Sequence, residues 1–171
     1  LSRFERVGLK IIGLKMIHLT KEQAEKFYPL SKEWFISLGN KAKKSYAEQG
    51  LEDKRDSLEV GKWVKSILID YIASGPVAAI ALEGNSAVDV VRKLVGPTDP
   101  LRAPAGTIRG DFTVESIYLA DSMKRGARNL VHASGSKEEA EHEISVLFKK
   151  EELHSYKRSD DEVLYGDLRK K

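Results

Sequence analysis

Apolar residues recur along this chain with two different periods, and each change of period marks an element. Between residues 9 and 19, Ile11, Ile12, Leu14, Met16, Ile17 and Leu19 crowd closely enough to predict a mostly buried strand, with Gly8 ending a short helix before it. Thr20 and Gln23 have capping-box spacing: the threonine oxygen can accept an orphan amide while the glutamine reaches back, which starts a helix through Phe27 and Tyr28. From Trp34 to Glu59 the pattern weakens. Gly39, Gly50 and the charged run 52–56 predict a helix and solvated loops rather than core. Helical period returns with Val60, Val64, Ile67 and Tyr71, flanked by Trp63, Leu68 and Ile72, and Ser74-Gly75-Pro76 stops it.

Residues 77–82 are a continuous apolar run bounded by turn signals, as expected of a central strand. Asn85 or Ser86 can cap a helix through Val90, Val91 and Leu94 to Gly96, and the stretch 97–106 is too rich in proline for regular structure. Residues 129–133 form a short strand candidate. Ser136 and Glu139 then cap an amphipathic helix with Ala140, Ile144, Leu147 and Phe148 inward. This order predicts an α+β fold, a ferredoxin-like α/β sandwich with an antiparallel sheet and helices packed on it, provided that one further strand lies upstream of Leu1.

Composition narrows the picture. The 171 residues suit a single domain large enough to need no staples, and there is no cysteine to supply disulfides, thiolate metal sites or a thiol nucleophile. That fits a cytoplasmic protein. A net charge of +3 is too mild to make nucleic acid the main partner, and no apolar run is long enough for a membrane helix.

Candidate chemistry gathers at two places. His132 is followed by small residues and a helix start, a setting suited to an anion beside its ring. Glu139 and Glu143 share a face of that helix, so one carboxylate can turn back, fix the tautomer and leave the other ring nitrogen free to attack. Arg92, Thr98, Arg109 and Asn129 form the second group. Two arginines and a hydroxyl can hold a polyphosphate, and the glycines of Gly106-Thr-Ile-Arg109-Gly110 would let backbone approach it. No Gly-x-x-x-x-Gly-Lys-Ser/Thr loop exists here.

Arg92-Lys-Leu-Val-Gly96-Pro-Thr98-Asp-Pro100, Pro104-Ala-Gly106-Thr-Ile-Arg109-Gly-Asp-Phe112, Arg128-Asn129-Leu-Val-His132-Ala-Ser134 and Glu139-Ala-Glu-His-Glu143-Ile144 resemble the nucleoside diphosphate kinase family in order and spacing. The resemblance runs from about Leu1 to Tyr156. It implies that His132 is a phosphorylated nucleophile, with Glu143 orienting it, Ser134 close to the phosphohistidine and Tyr28 beside the ring. It implies further that Arg92, Thr98 and Arg109 bind phosphates, that Asn129 lies near the sugar, and that Trp34 or Phe35 stacks on the base.

The chain also departs from the family pattern. The usual opening strand ending in Lys-Pro-Asp, whose lysine contacts the nucleotide, is missing from residues 1–171, so an N-terminally truncated single domain is expected, with insertions at about 36–59 and 115–126. The implied reaction is ping-pong transfer of the terminal phosphate from ATP or another nucleoside triphosphate to a diphosphate, with Mg²⁺ carried on the phosphates. The implied assembly is a homo-oligomer, a hexamer or tetramer, without membrane or specific nucleic-acid partners. The alternative is a catalytically impaired nucleotide-binding or scaffold member of the same fold.

Overall fold

The computed structural model describes residues 1–48, 50–123 and 125–166. Its two strands, β1 (Lys10–Ile17) and β2 (Val77–Glu83), pair antiparallel from Lys10 opposite Glu83 to Ile17 opposite Val77. A short helix α1 (Ser2–Arg6) precedes β1, and three helices link the strands: α2 (Lys21–Phe27), α3 (Lys32–Ala47) and α4 (Ser57–Ile72). After β2 come α5 (Ala87–Val95), a 3₁₀ turn at Pro100–Arg102, α6 (Ile108–Phe112), α7 (Ile117–Ser122), α8 (Lys137–Leu147), a second 3₁₀ turn at Lys150–Glu152 and α9 (Asp161–Tyr165).

Neighbouring residues of β2 serve two apolar clusters, as period-two alternation requires. Ala79 and Ala81 pack with Phe148, Ile144 and Leu147 of the α8 end, whereas Leu82 joins Phe4, Leu9 and Val95 between α1 and α5. A bulge in β1 at Ile12 disturbs the ladder and turns its carbonyl to the amide of His154, 2.7 Å away. Beside the bulge, Gly13 leaves room for the end of α8, because a Cβ there would stand 3.0 Å from Phe148. No helix among the described residues is long and apolar enough to cross a membrane.

The capping box at Thr20 and Gln23 is present, with Gln23 N donating to the Thr20 hydroxyl oxygen at 3.2 Å. Three expectations need correction. Leu14 and Met16 lie open to solvent on β1, which is therefore only half buried. The segment 77–82 is no central strand among the described residues, since β1 is its one partner there. Ser86 stands at the start of α5 in left-handed backbone and makes no side-chain cap. From Trp34 to Glu59 the expected helix and solvated loop are both present, as α3 and the largely exposed residues 50–56, but α3 also pairs with α4 in a helical hairpin. Gly39 of α3 and Gly61 of α4 face each other's helices so closely that a Cβ would meet Ser57 O at 1.8 Å or Phe35 O at 2.0 Å. Sparse apolar residues had hidden this contact, because it is made by absent side chains.

Candidate active site

Residues 129–133 are not a strand. Leu130 takes a left-handed φ of 67°, and the amides of Asn129 and Val131 bond two residues back, to Ala127 O and Asn129 O. The carbonyls that a ladder would use are instead held by Arg109. Its Nε donates to Asn129 O at 3.1 Å, Nη1 to Gly96 O at 2.7 Å and Nη2 to Val131 O. A rigid guanidinium fork thus shapes the bend that presents His132.

The His132 side chain is 38% exposed, and its Nε2 lies 2.8 Å from Oε1 of Glu143, which is buried on α8. Ser134 Oγ donates to the other carboxylate oxygen at 2.5 Å. An ionised carboxylate only accepts, so Nε2 carries the proton and Nδ1 keeps the lone pair. Glu139 is engaged elsewhere. Its Oε2 accepts the amide of Gly135 at 2.7 Å, while Ser136 Oγ accepts the Glu139 amide at 3.2 Å and caps α8. Of the two glutamates on that face, Glu143 is the one on the ring.

Aromatic edges bound the imidazole. Phe27 and Tyr28, at the end of α2, have ring centroids 5.1 and 6.0 Å from it, at 70° and 86°. Burial, with the nearby Glu143 carboxylate adding to it, pushes the Tyr28 phenol well above its ordinary pKa, so it remains a neutral neighbour. Trp34 lies 6.3 Å from Tyr28 and Phe35 5.6 Å from Trp34, extending the aromatic row away from His132. Phe27 was missed as a site residue. Its adjacency to Tyr28 gave no sign of which of the two would reach the histidine, and both do.

The second group adjoins the first through the 129–131 backbone. Asn129 Nδ2 donates to Thr98 O at 3.3 Å, drawing the proline-bounded loop toward the histidine segment. Thr98 and Arg92 are exposed, and Arg92 stands in the last turn of α5, just before Gly96. Arg109 is buried, and burial together with the positive charge of Arg92 lowers its pKa. Three of its five N–H donors are on carbonyls, leaving two uncommitted to them. Gly110 accommodates Pro104 O, which a Cβ would meet at 2.2 Å, so this glycine serves the chain's own packing rather than the approach of backbone to a ligand.

Comparison with known proteins gives one answer. The family model for nucleoside diphosphate kinase matches residues 57–153. A nucleoside diphosphate kinase of Pyrobaculum aerophilum is 49% identical over 158 residues, covering 90% of this chain and 86% of its own. One from Pyrococcus horikoshii is 44% identical over 161 residues, covering 94% and 80%. Among solved structures, the Pyrobaculum aerophilum NDP kinase superposes with a TM-score of 0.84 over 90% of this chain and 87% of that one, at 49% identity. A Borrelia burgdorferi nucleoside-diphosphate kinase, solved as a transition-state mimic with vanadate and ADP, reaches 0.75 at 33% identity, covering 96% and 84%.

Proposed function

The chain belongs to the nucleoside diphosphate kinase family and is a phosphotransferase, and on that premise we propose that His132 carries the phosphoryl group between nucleotides. The observation that supports this reading is the hydrogen-bonded set of Glu143, His132 and Ser134 at 2.8 and 2.5 Å. The Nδ1 lone pair attacks the terminal phosphorus of a nucleoside triphosphate. As the N–P bond forms, the bond from phosphorus to the bridging oxygen breaks and the diphosphate leaves with that electron pair. A second diphosphate then attacks the phosphohistidine through its terminal oxygen and regenerates the imidazole. Glu143 holds the Nε2 proton throughout and balances the positive charge that builds on the ring, while Ser134 keeps the carboxylate in place.

Transfer of this kind depends on positioning and on countering charge over the equatorial oxygens. Arg92 and the two spare donors of Arg109 take the phosphates in this reading, with Thr98 beside them, Asn129 toward the sugar and Trp34 toward the base. The bound ADP and CDP of the Borrelia burgdorferi and Halobacterium salinarum relatives support nucleotides as the ligands. A magnesium ion in this reading rides on the phosphates and keeps mostly water ligands. Such an ion would neutralise phosphate charge. Residues 1–171 are read as one domain, with 36–59 and 115–126 as additions to it, acting in the cytoplasm as a homo-oligomer.

Incubation with ATP should leave an acid-labile, base-stable label on the chain, and His132→Ala should abolish both label and exchange. A His132→Ala protein that still exchanged phosphate would overturn the reading.

A further inference from the structure

Helix α2 delivers Phe27 and Tyr28 to His132, yet it ends without a capping glycine: Tyr28 follows it in extended backbone, at φ −89° and ψ 142°. The last carbonyls of a helix have no partner inside it. Here other helices supply the partners. Lys65 of α4 places Nζ 3.3 Å from Glu25 O, 3.3 Å from Tyr28 O and 3.2 Å from Pro29 O. His142 of α8 places Nε2 2.8 Å from Lys26 O, and since a carbonyl only accepts, that nitrogen donates.

Lys65 is 5% exposed, lies in the stretch of α4 between Val64 and Ile67, and stands 5.5 Å from the Phe35 ring centroid. Burying an ammonium is costly, and the desolvation lowers its pKa against the opposing pull of Glu25. Its three hydrogens match the three carbonyls in reach, which offsets that cost. His142, next to Glu143 in sequence, ties the same turn to α8. The helix that holds the carboxylate partner of His132 therefore also holds the helix that brings its aromatic neighbours.

We propose that Lys65 and His142 are positioning residues for phosphoryl transfer: by clasping carbonyls of the last turn of α2 and of the two residues that follow it, they set how the Phe27 and Tyr28 rings bear on His132. This rests on the reading of His132 as the phosphoryl carrier. Neither residue touches the reacting atoms; both act through α2.

The test is single-turnover phosphorylation of the full chain by ATP, for wild type, Lys65→Met, Lys65→Arg and His142→Ala, at a temperature where circular dichroism shows each variant folded. Lys65→Met keeps the length of the side chain and removes its donors. It should slow labelling at saturating ATP by about tenfold or more, with half-saturation little changed, since small misplacements in such sites act on rate. Lys65→Arg should recover much of the rate. His142 is exposed, so His142→Ala keeps the fold and should slow labelling by about threefold or more on the same ground. If Lys65→Met fails to fold, His142→Ala decides alone.

Two results would overturn the clasp and spare His132: wild-type labelling rates in the folded Lys65→Met or His142→Ala chains, or a Lys65→Arg chain as slow as Lys65→Met. Absence of wild-type labelling would overturn the His132 reading and the clasp together.

Discussion

Replacing Glu143 by glutamine isolates the charge of the carboxylate from its shape. The amide oxygen can keep the place of Oε1, 2.8 Å from His132 Nε2, and the amide nitrogen can face Ser134, whose hydroxyl rotates from donor to acceptor. What disappears is the negative charge opposite the ring. A charge-assisted hydrogen bond exceeds a neutral one by about 1–2 kcal/mol. Unit charges at this separation attract by about 6 kcal/mol at an effective dielectric near 20. That second figure is an upper bound, because the His132 side chain is 38% exposed and the phosphorylated imidazole shares its charge with the phosphoryl oxygens. A net loss of about 2–4 kcal/mol in the transition state corresponds to phosphorylation about 30- to 1,000-fold slower. Quenched-flow measurement of the base-stable label over a range of ATP concentrations reads this directly, and half-saturation should move little because Glu143 is buried with both carboxylate oxygens on His132 and Ser134. A folded Glu143→Gln chain labelled within about threefold of the wild-type rate would show that the carboxylate is a structural bond and not a source of charge stabilisation.

Two other predictions concern stability. A methyl group on Gly39 would meet Ser57 O at 1.8 Å, so Gly39→Ala should force α3 and α4 apart and cost about 2–4 kcal/mol in urea unfolding, and an unchanged midpoint would refute the close packing. The Tyr28 phenol, raised by burial and by Glu143, ionises more readily in the unfolded chain than in the folded one. Stability should therefore be intact below the ordinary tyrosine value of 10.0 and fall as pH rises from there toward the folded value. Tyr28→Phe should flatten that alkaline decline in urea unfolding, and an identical slope in both proteins would exclude Tyr28 as its source.

Much of the candidate site was legible because its members sit close in sequence or in strong local patterns. Ser134, Ser136 and Glu143 follow His132 within one loop and helix, so helical spacing alone narrowed the carboxylate to Glu139 or Glu143. The choice between them depended on the start of α8, where capping at Gly135 and Ser136 consumes Glu139. Lys65 left a sequence signal, a lysine beside Val64 in an apolar helix, but its partners are carbonyls of residues about 40 positions earlier, and no spacing rule reaches them. The hairpin of α3 and α4 was obscured for a related reason. Its contact depends on Gly39 and Gly61, and hydrophobic patterning registers side chains, not the places where their absence lets backbones meet.

By itself, then, the sequence determined the α+β order and the caps of α2 and α8, because each follows from interactions within a few residues, and it carried the motifs by which the chain resembles its family. Only the tertiary structure decided how residues 129–133 run. Their apolar character predicts a strand, yet Arg109 takes the carbonyls of Asn129 and Val131, and Leu130 turns left-handed between them. Buried backbone carbonyls need partners, and in this chain a guanidinium from about 20 residues earlier supplies them two residues before His132.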